Sequence, residues 1–531
     1  MQTPKQLSFT KEQIEELIDR LEKKAIESED YPLLIELIKG LVWLNLSLKE
    51  KTLSIKRLRA VFGIKTETAS KLLGLLENEE EKKKKEPKKK KGGSGHRAAS
   101  EYTEAKTIKI AHEALKKGDI CPDCQKGKLF NLSPGTILRI VGTPSLQVEI
   151  YRPEKLRCSL CGTIFTAKLP EEVMKGSRSD KTAKAIVSLL KYRGGLPFYR
   201  QEQLQKILGT PLVASELWKM TQDLADDLLG IYAVMCHTAA QGQILHNDDT
   251  KARVLSIGAE RKEKEEKRKG IFTTGIISKL KDPQIPIALF FTGRKHAGEN
   301  MNELLDLREE GLSDPILQCD GGHNIPKDHK MLVSYCFAHT RRKFYELSDD
   351  YPRIVLKVIG WFSEIFANDK NGPSEDQARL KYHQEKSGPI MDTILKYCDQ
   401  LLENKEVEPN SSIGKAIAYM KNHWTGLTLF LKEAGVPLTN NDLERLLKRS
   451  VLNRKNAYFY RTEEGARIGD ILMSTIETCV MNEINPWKYL LAIQEHQEKV
   501  KKHPALWVPW AYEKEMKKLQ EIKQEGTVHS Q

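Results

Sequence analysis

The chain has no apolar run near the roughly 20 residues that a membrane-spanning helix requires. Its opening stretch, MQTPKQLSFTKEQ, lacks the apolar core of a signal peptide. Both absences predict a soluble, cytoplasmic protein. A disulfide framework is missing too. The nine cysteines are an odd count, four of them fall into two Cys-x-x-Cys pairs, and the rest are scattered. That usage fits a reducing compartment and a metal site. Acidic charge is in deficit: 86 Lys and Arg against 73 Asp and Glu leave a net +13. This balance suits a polyanionic partner, nucleic acid or an anionic membrane surface. At 531 residues the chain can hold several domains and at least one sizeable core.

Residues 1–78 read as a helical, helix-turn-helix-like domain. Thr10 and Gln13 fit a capping box ahead of Ile14, Leu17, Ile18 and Leu21 at helical spacing, and Gly63 separates two later helical patterns. Contact with DNA and dimerisation both suit it. Residues 79–105 form a basic low-complexity linker, EEEKKKKEPKKKKGGSG, with too few apolar groups to fold. Residues 106–170 carry the cysteine pairs. Residues 171–240 turn helical again, and a Gly-Thr-Pro break at 209–211 makes a second helix-turn-helix-like candidate for DNA binding.

From 241 to 348 the pattern changes. ILHNDDTKARVL, GIFTTGIISKL and IPIALFFTG read as successive strands, GENMNELLDLREE as a helix, PILQCD as a strand, and MLVSYCFAHTRRKFYEL as a strand running into a helix. The mixed EKEEKRKG at 263–270 reads as a hairpin loop. This order is that of a ribonuclease H-like core. Residues 349–435 are helical and interrupt it, 436–480 return to it with a helix carrying Glu444, and 481–531 form a helical, lysine-rich tail. The expected fold is multidomain α/β: a ribonuclease H-like catalytic core interrupted by an all-α insertion, with N-terminal helical and zinc-binding domains.

Cys121-Pro-Asp-Cys124 and Cys158-Ser-Leu-Cys161 have the spacing of two zinc knuckles. Four thiols close a tetrahedral shell and leave no open position, so the zinc they predict is structural rather than catalytic.

Three acids stand out: Asp248 in ILHNDDTK, Asp320 after the apolar run Ile316–Cys319, and Glu444 in NNDLERLLK. Side chains alternate along a strand, so His246, Asp248 and Thr250 share one face while Asn247 and Asp249 take the other. Asp249 then reads as solvated or supporting. Asp320 lies at the carboxyl end of a strand, where ligands gather in α/β sheets. Glu444 has two readings, as the last member of a capping box begun by Asn441, or as a carboxylate beside the buried stripe Leu443, Leu446 and Leu447. Three acids meeting at two divalent cations would serve phosphoryl transfer. Cys336 and His339, three residues apart, could buttress that site, and Asn440 and Asn441 flank Glu444. Arg341, Arg342 and Lys343, and Arg454 and Lys455 with Tyr458, Phe459 and Tyr460 behind them, suit phosphates and unstacked bases.

On these residues the chain resembles the transposases of the insertion-sequence 66 family of bacterial mobile elements, almost end to end. The matching segments are VFGIKTE (Val61 to Glu67), the four-cysteine segment, KYRGGLPFYRQE (Lys191 to Glu202), Asp248-Asp249-Thr250, Asp320-Gly321, CFAHTRRKF (Cys336 to Phe344), Asn440 to Arg445, Arg454 to Asn456, and WVPW (Trp507 to Trp510). Asp249 stands where the family has Glu, and Gly322-His323-Asn324 replaces an aromatic-containing stretch. The resemblance implies a DDE transposase in which Asp248, Asp320 and Glu444 hold two Mg2+ (or Mn2+) ions. It implies cleavage at element ends and joining to target DNA, with the basic clusters on phosphates. It also implies terminal inverted repeats and target DNA as partners, a homo-oligomer on DNA, and small accessory proteins of the same element. An inactive zinc-containing DNA-binding descendant, and a ribonuclease H-like nuclease without strand transfer, are the competing readings.

Overall fold

The computed structural model describes Arg20 and most of the chain from Ala114 to Val528, leaving out 121, 123–124, 131–142, 158, 160, 162, 176, 264–269 and 282. The chain divides into two units, 1–109 and 110–531. The expected N-terminal helical domain, with its capping box at Thr10 and Gln13, and the basic linker therefore lie outside the described residues. Among the described residues no helix is long and apolar enough to cross a membrane.

A two-stranded antiparallel ribbon opens the second unit, β1 (Lys155–Arg157) against β2 (Ile164–Thr166). After a short helix at Glu171–Lys175 come α1 (Lys181–Tyr192), α2 (Phe198–Ile207) and α3 (Ala214–Ala240). Asp180 caps α1, its carboxylate accepting from Ala183 N. The expected helix–break–helix at 201–229 is α2, Gly209 at φ +85°, and α3. One face of α3 serves the core. Leu224, Leu228, Ile231 and Met235 share one stripe and are buried in the main core.

The sheet has five strands in the order β5-β4-β3-β6-β7. They are β3 (Ile244–Lys251), β4 (Phe272–Leu280), β5 (Ile285–Gly293), β6 (Ile316–Cys319) and β7 (Leu332–Tyr335). The first three run antiparallel to their sequence neighbours, and β6 and β7 extend the sheet parallel to β3. A short helix, α4 (Leu255–Glu263), sits between β3 and β4. The sequence reading carries the first strand through Leu255 and begins a hairpin loop at 263. In the structure the strand stops at Lys251, because Val254 and Ile257 turn inward to pack with Ala466 against Tyr460. Helix α5 (Ala297–Leu305) links β5 to β6. After β7 come α6 (Phe337–Tyr345), then α7 (Pro352–Asn371), α8 (Asp376–Lys386), α9 (Gly388–Glu403) and α10 (Ser412–Asn422). Of these, α7, α9 and α10 build a second core around Phe362, Ile394 and Ile417, in which Phe337 and Phe344 of α6 take part. Phe337 N–H donates to Leu438 O at 2.9 Å, so this helical lobe leaves the sheet and returns to it at one point.

Helices α11 (Asn441–Ala457) and α12 (Glu463–Met481) then pack on the sheet. Asp470, Ser474 and Thr478 of α12, four residues apart on one face, accept from the N–H groups of Thr292, Phe290 and Ala288 on β5. An edge strand that would otherwise bare its donors is closed by a helix. The tail joins the same core through α13 (Pro486–Glu495) and α14 (Tyr512–Val528), with Trp507 buried and Tyr489 Oη donating to its carbonyl.

Candidate active site

Asp248 stands on β3 directly opposite Gly275 of β4. A Cβ at Gly275 would lie 2.8 Å from Leu447 Cδ2 and 3.2 Å from Leu443 Cδ1. The missing side chain therefore lets α11 settle on the sheet beside Asp248. The strand parity is as the alternation requires. His246 turns to the α11 side and its Nδ1 lies 3.0 Å from Asn440 Oδ1. Asp249 turns to the other face, where Oδ2 accepts from Ala297 N at the start of α5 and Oδ1 accepts from Thr274 Oγ1. Asp249 is thus a half-buried anchor for α5.

Asp320 follows β6. The parallel register pairs His246 with Gln318, and two residues further along, it sets Asp320 beside Asp248. Gly321 at φ +96° turns the chain sharply away, a conformation open to glycine. Glu444 lies in the first turn of α11. The cap position is Asn440, whose side chain makes no cap bond, so the capping-box reading of Asn441 and Glu444 does not hold. Asn440 instead donates Nδ2 to Asn247 O and its backbone N to Cys336 Sγ. Asn441 is exposed at the first position of α11.

His339, in the first turn of α6, joins two of the acids. Its Nδ1 is 2.8 Å from Asp320 Oδ2 and its Nε2 is 3.4 Å from Glu444 Oε1. Those carboxylates raise the imidazole to about 9, so it is protonated at neutral pH. In return, hydrogen bonding from His339 lowers Glu444. Burial, and then the charge of Asp320, push Asp248 up to about 6. Asn324 Nδ2 donates to Asp248 Oδ1 at 3.2 Å, and Asp320 Oδ1 is buried without a hydrogen-bond partner. With the ring of His339 between Asp320 and Glu444, no group of three metal-competent side chains closes on one point among the described residues.

The basic residues take different stations. Arg342 reaches to 3.5 Å from His339 Nε2. Arg341 lies over the Tyr345 ring and Lys343 over the Tyr419 ring, 4.2 Å from its centroid. Arg454 and Lys455 are in the last turn of α11. Of the zinc-type cysteines only Cys161 is among the described residues, its Sγ 3.0 Å from Thr163 Oγ1, and Cys121, Cys124 and Cys158 lie outside them. Sequence reasoning misses Gly275 and Asn324. Neither carries a spacing signal, since each acts through a partner brought up by the fold.

Residues 176–468, more than half of the chain, match the transposase IS66 family. The chain belongs to that family. It is also similar to the uncharacterized protein y4hP of Sinorhizobium fredii (strain NBRC 101917 / NGR234), 26% identical over 400 residues that cover 69% of this chain and 68% of that one. The uncharacterized protein y4jD of the same organism is 24% identical over 390 residues, covering 70% and 73%. Family membership makes a transposase role, with DNA as the substrate class, the general assignment for this chain.

Proposed function

We propose that this transposase works by the DDE mechanism, with Asp248, Asp320 and Glu444 as its catalytic acids on a ribonuclease H-like core. The observation that carries the reading is the proximity of those residues: Asp248 on β3, Asp320 just past the end of the parallel neighbour β6, and Glu444 on the histidine that holds Asp320. Three antiparallel strands extended by two parallel ones support the core assignment. The acids suit divalent cations. Asp320 Oδ1 is buried and unpartnered, and Asp248 is raised first by burial and then by the charge of Asp320, both of which a cation would offset. Two Mg2+ (or Mn2+) ions, when bound, would activate a water or 3′-hydroxyl and stabilise the leaving oxygen of an in-line displacement.

The chain's own residues do the rest. His339 orients Asp320 and Glu444, Asn324 orients Asp248, and Arg341, Arg342, Lys343, Arg454 and Lys455 neutralise phosphates of the terminal repeats and target. Cys121, Cys124, Cys158 and Cys161 hold a structural zinc, a reading that rests on their spacing. A homo-oligomer on DNA, helped by accessory proteins of the same element, is the working assembly in a bacterial cytoplasm.

One observation favours a second reading, a DNA-binding descendant without chemistry: His339 already satisfies charge on two of the acids. The test uses a supercoiled plasmid carrying the DNA that flanks the gene, with Mg2+ and the full chain. Nicked and joined products that vanish in Asp248→Asn, Asp320→Asn and Glu444→Gln, with DNA binding kept, support the first reading. Nicks without joining point to a nuclease, and binding with neither product to the second reading.

A further inference from the structure

Beyond Glu444, α11 contains Arg445, Lys448, Arg449, Arg454 and Lys455 and no further acid. Two of these cations are spoken for: Arg445 pairs with Asp442 at 3.4 Å and Arg449 with Glu477 at 3.6 Å. Lys448 and Lys455 are exposed. Lys448 stands one turn from Glu444 and its charge helps to lower that carboxyl, and among the described residues neither lysine makes a close salt bridge. At 100° per residue, Glu444, Lys448 and Lys455 fall within about 40° of one another around the helix. One flank and the far side carry the buried Leu443, Leu446, Leu447, Ser450 and Asn453.

The track ends at two exposed rings. Tyr458 is 62% and Phe459 43% exposed, large apolar surface to leave in water. The Arg253 guanidinium lies 5.9 Å from the Phe459 ring centroid, and Arg454 Nε is buried without a partner close by. Tyr458 holds φ +68° and ψ −42°, a backbone strained for any residue with a Cβ. The short parallel bridge between Val254 and Tyr460, with Tyr460 N donating to Arg253 O, pins the loop in place. Cation and aromatic are thus held together on a fixed platform, the arrangement that grips a phosphate and stacks a sequence-tolerant base.

We infer that α11 and the Tyr458–Phe459 loop form a binding track for an unpaired DNA strand, with its phosphates on Lys448 and Lys455 and its bases on the two rings. The helix rises about 21 Å from Glu444 to Tyr458, room for about six nucleotides at stacked-strand spacing. A strand whose reacting phosphodiester lies at the acids would reach the rings about six nucleotides away. The inference rests on the DNA-processing reading above and adds the strandedness of what is held beside the acids.

The test is fluorescence anisotropy of labelled oligothymidylate, and of a labelled duplex of equal length, with the full chain over a salt series. Tyr458→Asn removes the ring while keeping a residue with a Cβ at this backbone, and Tyr458→Trp keeps a stacking face. We expect Tyr458→Asn to weaken single-strand binding about 5- to 150-fold with its salt slope unchanged, and Tyr458→Trp to bind like the parent. Lys455→Ala should lower the single-strand slope by about 0.7. Duplex binding should not respond to Tyr458→Asn. Unaltered melting of each variant checks the fold. Equal losses on both substrates, or no loss at Tyr458→Asn, would overturn the track. A parent that binds neither substrate would instead remove the DNA-processing reading, so the two failures are distinguishable.

Discussion

Gly275 and Leu447 meet at the seam between β4 and α11, where a Cβ at 275 would stand 2.8 Å from Leu447 Cδ2. Gly275 is also the cross-strand neighbour of Asp248. One hydrogen in place of a side chain therefore decides how near Glu444 can come to Asp248. We expect Gly275→Ala to cost about 1–3 kcal/mol by overpacking and to lower strand cleavage, because α11 is pushed outward. Leu447→Ala in the same chain should recover part of the cleavage. Chemical denaturation and plasmid nicking measure the two effects, and full activity in Gly275→Ala would refute the seam argument.

His339 holds two acids at once. We expect His339→Ala to lose about 1.5–3 kcal/mol of stability without divalent metal, the range for a charged hydrogen bond. Added Mg2+ should restore more melting temperature to the variant than to the parent. An equal Mg2+ shift in both would argue against cation binding at these acids.

Phe337 is buried, and its ring meets Phe362, Phe366 and Phe430 edge to face at 5.3, 6.2 and 5.9 Å. It also starts the helix that carries His339. Phe337→Ala should cost about 3–5 kcal/mol by cavity formation, read from the denaturation midpoint. A loss under about 1 kcal/mol would mean that the helical lobe packs without this anchor.

Asp470 is buried behind β5 and raised to about 7 by desolvation, against hydrogen bonds from Thr292 N and Oγ1. Its unfolded value is near 3.8. Between those values the folded state binds the extra proton, so stability falls as pH rises through this window. We expect Asp470→Asn to flatten that part of the stability–pH curve, with a loss of about 1 kcal/mol at low pH for the imperfect replacement. Denaturation midpoints at a series of pH values check the sign. A parent whose stability rises across the window on account of Asp470 would contradict it.

Zinc analysis of the purified full chain should give about one ion per molecule, held by thiolates. Cys161→Ser should lose it, and with it the compactness of 110–170 to proteolysis. Retained stoichiometric zinc in that variant would remove Cys161 from the ligand set.

Much of the candidate site is legible in the sequence. Residue alternation alone assigned Asp248 and Asp249 to opposite faces, because the strand period is two whatever the strand packs against. The order of strands and helices, the helical character of 349–435 and the motif-bearing acids were likewise local patterns. Tertiary structure decided the rest. Glu444 could cap its own helix or face a cleft, and only the approach of His339 from α6 chose the second. Asp249 became a helix anchor because α5 starts where it points. The strand after Asp248 ended early because Ala466 and Tyr460, some 200 residues on, gave Val254 and Ile257 somewhere to bury. α3, the second half of the helix-turn-helix-like segment, lays one stripe into the main core, and an amphipathic stripe has the same spacing whatever it meets. Periodicity is written residue by residue, while the partner across each contact is supplied by a distant part of the chain.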